Sequence, residues 1–364
     1  MIMSIKKIKI KIKIKEIISL LFILTLSSCA EKADFDHADQ SSLLSNSIIC
    51  PSGYIKAPAD ASVGVNNDFC VMKYEAKAWN DVDTDGVVDA GEIDADGCNE
   101  GGCTTDNWGI ATHKPISNEE GHPWRNINIT NAWNECDSLN SESGRANIDA
   151  DNNLDGSYAL ISNPEWMAIA RNIELVSTNW TDGVVSSGAG GCLKRGNVSG
   201  ANPCTGGDSG YNGVGVDSGA GRADNGTAQL VLNNGEVIWD FSGNLHEWVD
   251  WDMTSTLKTI TPAQKFFDIS EGIQWPWREF ANITENIANG DEMEPSTWQA
   301  NDPSLLMANG IGGYAAGTSS SGGAANRGGN YAIDELSGIY ALDISRNTSA
   351  SVPSLGFRCV FRNP

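Results

Sequence analysis

Only two segments of this chain repeat apolar side chains at helical spacing, and both are short. Between and beyond them run long stretches of small and polar residues. Gly183–Gly226 is mostly glycine, serine and asparagine, and Thr254–Gly323 is a second loop-rich region. No strand–helix–strand alternation links the periodic segments. That argues against a doubly wound parallel sheet and for an α+β fold with little regular secondary structure and long loop insertions. The 39 glycines and 12 tryptophans suit such a fold. Glycine permits irregular backbone, and tryptophan brings a large apolar group at each position. The length, 364 residues, is enough for one large domain or two small ones.

In Ile129–Asn140, Ala132, Trp133, Cys136 and Leu139 fall on one face and predict a helix packed through them. Ser162–Val176 predicts a second helix. Ser162 and Glu165 have capping-box spacing, Pro164 suits the first turn, and Trp166, Ile169, Ala170 and Ile173 form the apolar stripe. Cys50–Pro58 and Asp68–Trp79 read as strands, the second alternating Met72, Tyr74 and Ala76 with Val71, Lys73 and Glu75. Strand-like runs return at Ala228–Asn234 and Glu236–Gly243. Gly183–Gly226 is expected to be an irregular surface layer, pinned by a Cys192–Cys204 bridge.

Residues 1–28 stand apart. A basic stretch, MIMSIKKIKIKIKIKE, precedes an apolar run, IISLLFILTLSS, which has signal-peptide length and is too short to span a bilayer. The run ends in LSSC, which resembles a bacterial lipobox. The resemblance implies cleavage before Cys29 and acylation of its thiol, so that a lipid holds the protein to a membrane of the cell envelope. Ala30, not an aspartate, follows and favours the outer membrane or the cell surface. Residues 29–47 are polar and aperiodic and read as a flexible tether, which leaves 48–364 as the folded part.

The full sequence carries 24 Lys+Arg against 47 Asp+Glu. The signal holds six of the lysines and one of the glutamates, so the mature chain carries 18 against 46, a net charge of −28. Nucleic acid would be repelled and divalent cations attracted. Export also gives the cysteines a role. Beyond Cys29 there are eight: Cys50, Cys70, Cys98, Cys103, Cys136, Cys192, Cys204 and Cys359. An even number in an oxidising compartment predicts disulfides, whose connectivity the sequence leaves open.

One acidic stretch has ligand spacing. DVDTDGVVDAGE, inside the insertion 80–108, places Asp81, Asp83, Asp85 and Asp89 at loop positions 1, 3, 5 and 9 and Glu92 at position 12 of an EF-hand-type calcium loop. Gly86 permits the sharp turn, and the Val87 carbonyl supplies a further oxygen. Weakly helical flanks favour a free-standing structural loop over a helix–loop–helix sensor. Calcium is therefore the expected cofactor.

Four motifs occur in order toward the C-terminus: SNPEWMAIARNIE, DFSGNLHEWVDW, RGGNY and LGFRCVF. Together they resemble the formylglycine-generating-enzyme, or sulfatase-modifying-factor, family, whose fold is C-type-lectin-like and α+β. The resemblance covers roughly Cys50 to Phe361 and implies a single domain. It also implies a second calcium site using Asn244 and Glu247, and a disulfide between Cys136 and Cys359. Arg327 and Arg358 suit buried cations that cross-link the fold, and Gly243, Gly328 and Gly329 suit tight backbone turns.

The family's oxidases hold copper with two cysteines just after the RGG motif, but Tyr331–Ser345 contains none. Without a thiolate that sulfur chemistry has no nucleophile. The corresponding loop instead offers Tyr331, Ala332, Ile333, Asp334, Glu335, Ile339, Tyr340, Ser345, Arg346 and Thr348, a mixture suited to recognising a protein or glycan ligand. Ala341, Leu342, Ile344 and Leu355 read as framework. The arrangement is also similar to the variable proteins of diversity-generating retroelements, which use this fold and diversify the stretch between RGG and GFR. The expected function is thus ligand binding on a calcium-stabilised scaffold. An enzyme with a non-standard site and a structural envelope protein are the alternatives.

Overall fold

The computed structural model describes residues 48–80, 89, 91–93, 113–119, 121–141, 156–185, 191–198, 228–251, 310, 312, 314–315, 324–333, 337–343 and 346–363. All belong to the unit Ile48–Pro364. A four-stranded antiparallel sheet is built from β1 (Tyr54–Ala57), β2 (Phe69–Met72), β13 (Cys359–Arg362) and β5 (Ser157–Leu160), in that order. The chain's last strand thus lies between two early ones.

A five-stranded mixed sheet runs β12 (Leu355–Phe357), β8 (His246–Val249), β10 (Ala325–Arg327), β11 (Leu342–Asp343) and β9 (Tyr314–Ala315). Its outer pairs, β12–β8 and β11–β9, are parallel, and its inner pairs are antiparallel. Two hairpin-like pairs complete the described strands: β3 (Lys77–Trp79) with β4 (Lys114–Ile116), and β6 (Gln229–Val231) with β7 (Val237–Trp239).

Among the described residues two α-helices accompany them, α1 (Ile129–Ser138) and α2 (Asn163–Glu174). The start of α2 follows from its sequence. Ser162 and Glu165 exchange side-chain and backbone hydrogen bonds in a capping box, with Pro164 in the first turn. Trp166, Ile169, Ala170 and Ile173 are all fully buried. In α1, Ala132, Cys136 and Leu139 are buried as their spacing requires, but Trp133 is 45% exposed. Position 133 sits one residue off the stripe, about 100° around the helix from Ala132, and packing selects the smaller side chain.

Two apolar clusters form the core, and the four-stranded sheet divides them. Phe69 and Val71 of β2 and Val360 of β13 enter one cluster with Trp166, Ile169 and Phe241. Cys70 and Met72 of β2 and Cys359 and Phe361 of β13 enter the other with Trp124, Trp248 and Phe357. Both faces are covered, so all four residues of β2 are buried and no polar alternation survives in it. Trp166 stacks on Phe241 with ring centroids 3.8 Å apart.

The predicted long strand 68–79 is divided. Residues 73–76 leave the sheet between β2 and β3, and Glu75 turns inward. The expected surface layer after Gly183 is corrected where it is described. Leu193, Arg195, Asn197 and Val198 are fully buried, with Leu193 in the first cluster. Glycine allows that irregular segment to thread inward, since a Cβ on Gly196 would lie 2.2 Å from the Ser242 carbonyl oxygen.

Disulfides join Cys50 to Cys70 and Cys136 to Cys359, the second being the pair implied by the family resemblance. Cys192 is also disulfide-bonded, with its partner outside the described residues. Cys29, Cys98, Cys103 and Cys204 lie outside them as well. The Cys136–Cys359 bond spans 223 residues and ties α1 to the central strand of the sheet.

Candidate functional site

The C-terminal segment hangs on a rigid frame. Arg327, at the end of β10, donates from Nε and Nη2 to Asn163 Oδ1 at 2.9 and 2.6 Å. Its Nη1 donates to the Tyr340 carbonyl at 3.1 Å. Asn163 opens α2, so helix and strand meet at a fixed point. Gly328 and Gly329 follow with φ of 83° and 75°. A Cβ on Gly329 would lie 2.4 Å from Ser337 Cα, so no other residue fits there. Trp166 Nε1 donates to the Ile339 carbonyl at 2.7 Å, and the Tyr340 hydroxyl donates to Glu174. Burial raises the Tyr340 pKa well above its ordinary value, and Glu174 raises it further, so the phenol stays a donor.

The residues expected to face a ligand divide around this frame. Ala332 and Thr348 are exposed, while Tyr331, Ile333 and Arg346 are half-buried. Asp334, Glu335 and Ser345 lie outside the described residues, as does Ile344. Ile339 and Tyr340 are 0% and 1% exposed, so their expected place on a binding surface is corrected. The turn carries them inward, where α2 supplies the Trp166 and Glu174 partners. Ala341, Leu342 and Leu355 are buried framework, as expected.

A second set of residues buries charge. Arg358 donates from Nε and Nη2 to the two carboxylate oxygens of Glu247, each at 2.7 Å, with both side chains fully buried. Its remaining donors reach the Met72 and Trp239 carbonyls at 3.2 and 2.8 Å. Nearby Glu75, also fully buried, accepts from Leu245 N at 3.1 Å and from Asn244 Nδ2. Burial raises the Glu75 pKa well above the carboxylate range. Asp240 and Glu247 add repulsion, and Arg358 and Lys77 oppose it. Glu247 is likewise raised by burial, against the pull of Arg358.

This arrangement does not fit a calcium ion held by Asn244 and Glu247. Both Glu247 oxygens face a guanidinium. Asn244 Oδ1 accepts from Asn197 Nδ2 at 2.9 Å, and Asn244 Nδ2 is given to Glu75. A cation approaching Glu247 meets the charge of Arg358 first.

The Asp81–Glu92 loop is described only at its end; Asp81, Asp83, Asp85 and Val87 lie outside the described residues. Glu92 is 8% exposed. Its Oε2 accepts from Asp89 N at 2.9 Å and from Trp79 Nε1 at 3.1 Å. The Glu92 backbone N–H also donates to the Asp89 carbonyl at 3.2 Å, which closes a turn at the two residues. These two residues fit the end of a calcium loop, with Glu92 oriented by a buried tryptophan.

A third polar group escaped the sequence reading. In the five-stranded sheet, Asn326 lies opposite Trp248 and Asp343, and His246 lies opposite Leu355. Opposed residues share a face and side chains alternate along a strand. His246, Trp248, Asn326 and Asp343 therefore lie on one face, and Glu247 and Arg327 on the other. Asn326 is 0% and His246 4% exposed. Among the described residues, neither amide atom of Asn326 and not the Nδ1 of His246 has a hydrogen-bond partner. Arg346 Nε lies 3.3 Å from Asp343 Oδ2. Burial pushes the His246 pKa down to about 4, with Arg346 lowering it, and Asp343 and a backbone hydrogen bond to Arg327 raising it. A period-2 reading back from Arg327 puts Ala324 and Asn326 on one face, yet nothing in the sequence says that face is covered.

No family model matches the sequence. No curated protein matches it either. Among solved structures the chain is similar to Treponema denticola variable protein 1, at 13% identity over 83% of this chain and 97% of that one, with a TM-score of 0.29.

Proposed function

We propose that residues 48–364 form an exported ligand-binding domain with a C-type-lectin-like scaffold, anchored to the outer membrane or cell surface through a lipid on Cys29. Calcium, held by Asp81, Asp83, Asp85, Val87, Asp89 and Glu92, orders the acidic insertion. The ligand is a protein or a glycan, met by the loop that follows the RGG turn.

The observation that carries this reading is the contrast within that loop. Arg327, Ile339, Tyr340 and Leu342 are buried, while Ala332 and Thr348 are exposed and Tyr331, Ile333 and Arg346 half-buried. Side chains can change at Ala332, Ile333 and Thr348 without touching the frame that holds them, while Arg346 is tied to it through Asp343 at 3.3 Å. The test is to screen the purified 48–364 domain on peptide and glycan arrays, with Tyr331→Ala and Arg346→Ala beside the parent. Hits that both variants lose at unchanged melting temperature support binding by this loop. No hits, or hits indifferent to both variants, sink it. Sequencing the 331–353 segment in close relatives tests its diversification; an invariant segment with no nearby template repeat rules that out.

A further inference from the structure

We propose that His246, Asn326, Asp343 and Arg346 form a site for the hydroxyl groups of a neutral, hydroxyl-rich ligand, a saccharide. The inference rests on the binding reading above and names its ligand class.

Four observations converge on it. Asn326, His246 and Asp343 share one face of the five-stranded sheet by register. Among the described residues, the fully buried Asn326 amide has a donor and an acceptor without partners, and the His246 imidazole has a ring nitrogen without one. Buried polar groups are ordinarily satisfied, since each left alone loses its hydration without replacement. The group also reaches the surface: the Asp343 side chain is 11% exposed and that of Arg346 28%. Finally, Arg346 belongs to the loop that carries the exposed recognition residues.

The chemistry selects the ligand. A partner must donate to Asn326 Oδ1 and accept from Asn326 Nδ2, and it must also meet His246 Nδ1 in whichever tautomer the ring adopts. A hydroxyl does both, because it carries a proton and two lone pairs. Charged ligands fit poorly. Asp343 and Arg346 already neutralise one another at 3.3 Å. An anion would also approach a mature chain of net charge −28, and a metal ion would face the Arg346 guanidinium and the Asn326 N–H.

The test is a thermal-shift and saturation-transfer NMR series on the 48–364 domain with mannose, galactose and N-acetylglucosamine. At least one sugar is expected to raise the melting temperature and give a transfer signal. Both effects should vanish in Asn326→Leu and weaken several-fold in Arg346→Ala. Should the buried leucine prevent folding, the half-buried Arg346→Ala carries the comparison. No shift with any of the sugars overturns the proposal, as does a shift that both variants retain. A crystal structure in which only ordered waters meet Asn326 and His246, unchanged by soaked sugar, also overturns it. Peptide-array hits that depend on Tyr331, without any saccharide response, would remove this inference and leave the binding reading standing. Silence on both arrays removes the two together.

Discussion

Two buried polar groups lie on opposite faces of the same five-stranded sheet, and they are built differently. On one face Arg358 gives its donors to both oxygens of Glu247 and to three backbone carbonyls, while Glu75 takes the Leu245 amide and the Asn244 side chain. On the other face Asn326 and His246 present three atoms that nothing in the described protein answers. The first group is closed and can only cross-link. The second leaves those atoms for a water or a ligand to meet. Burial alone therefore does not say how a polar group is held in this protein; its hydrogen bonds do.

The comparison is broken most sharply at Arg358. Replacing it by methionine strands Glu247, and a buried charge that loses its partner costs about 3–5 kcal/mol. Urea unfolding should show that loss, and Arg358→Met combined with Glu247→Leu should recover much of it. A single variant as stable as the parent would mean that the closed group is solvated after all.

Removing the Cys136–Cys359 disulfide next to Arg358 by a double alanine substitution should cost about 2–5 kcal/mol. If the charged group alone fixed β13, the loss would be negligible.

Acidity sharpens the contrast. His246 is depressed by burial to about 4 from 6.5, so the unfolded chain binds more protons than the native one in that interval, and this group makes stability rise as pH rises from about 4 to 6.5. Glu135 is raised by burial from 4.5 to about 7, with Lys114 opposing. There the native state binds more protons, so its contribution falls as pH rises from about 4.5 to 7. Glu75, raised by burial and by its acidic neighbours, adds a fall of the same sign above 4.5. Glu135→Gln should therefore steepen the rise in stability between pH 4.5 and 6.5, read from melting temperatures across that range. An unchanged slope would place Glu135 in water.

The smallest effect is expected at the open group. Asn326→Leu removes two unanswered polar atoms with little change of shape, so stability should stay within about 1 kcal/mol of the parent or rise. A loss of several kcal/mol would show that the amide is internally satisfied and would close the difference between the two faces.

Much of the scaffold is legible in the sequence. The capping box of α2 and its Trp166, Ile169, Ala170 and Ile173 stripe followed from local rules, because a helix reads its own sequence at a fixed 3.6-residue period. The buried Arg358, the positive-φ glycines of the RGG turn and the framework residues Leu342 and Leu355 were legible as residue types with narrow uses. The errors have a common cause. Spacing and composition put Trp133 inside, Ile339 and Tyr340 outside and residues 191–198 on the surface, and the fold reverses each. Each depends on which neighbour arrives from far along the chain, and spacing alone carries no such information.

The sequence by itself determined the local grammar of this protein: where helices begin, which turns demand glycine, and an excess of negative charge with enough cysteines to cross-link the fold. Only the tertiary structure decided which polar side chains meet. Glu247 finds Arg358 across 111 residues, and Arg327 finds Asn163 across 164. Asn326 comes to lie between Trp248 and Asp343 only because β8, β10 and β11 pair in one register, and a one-residue slip would turn that amide to the opposite face. Hydrogen bonding acts over a few ångströms in space, whereas sequence spacing constrains only near neighbours, so satisfied and open groups become distinguishable once the sheet has formed.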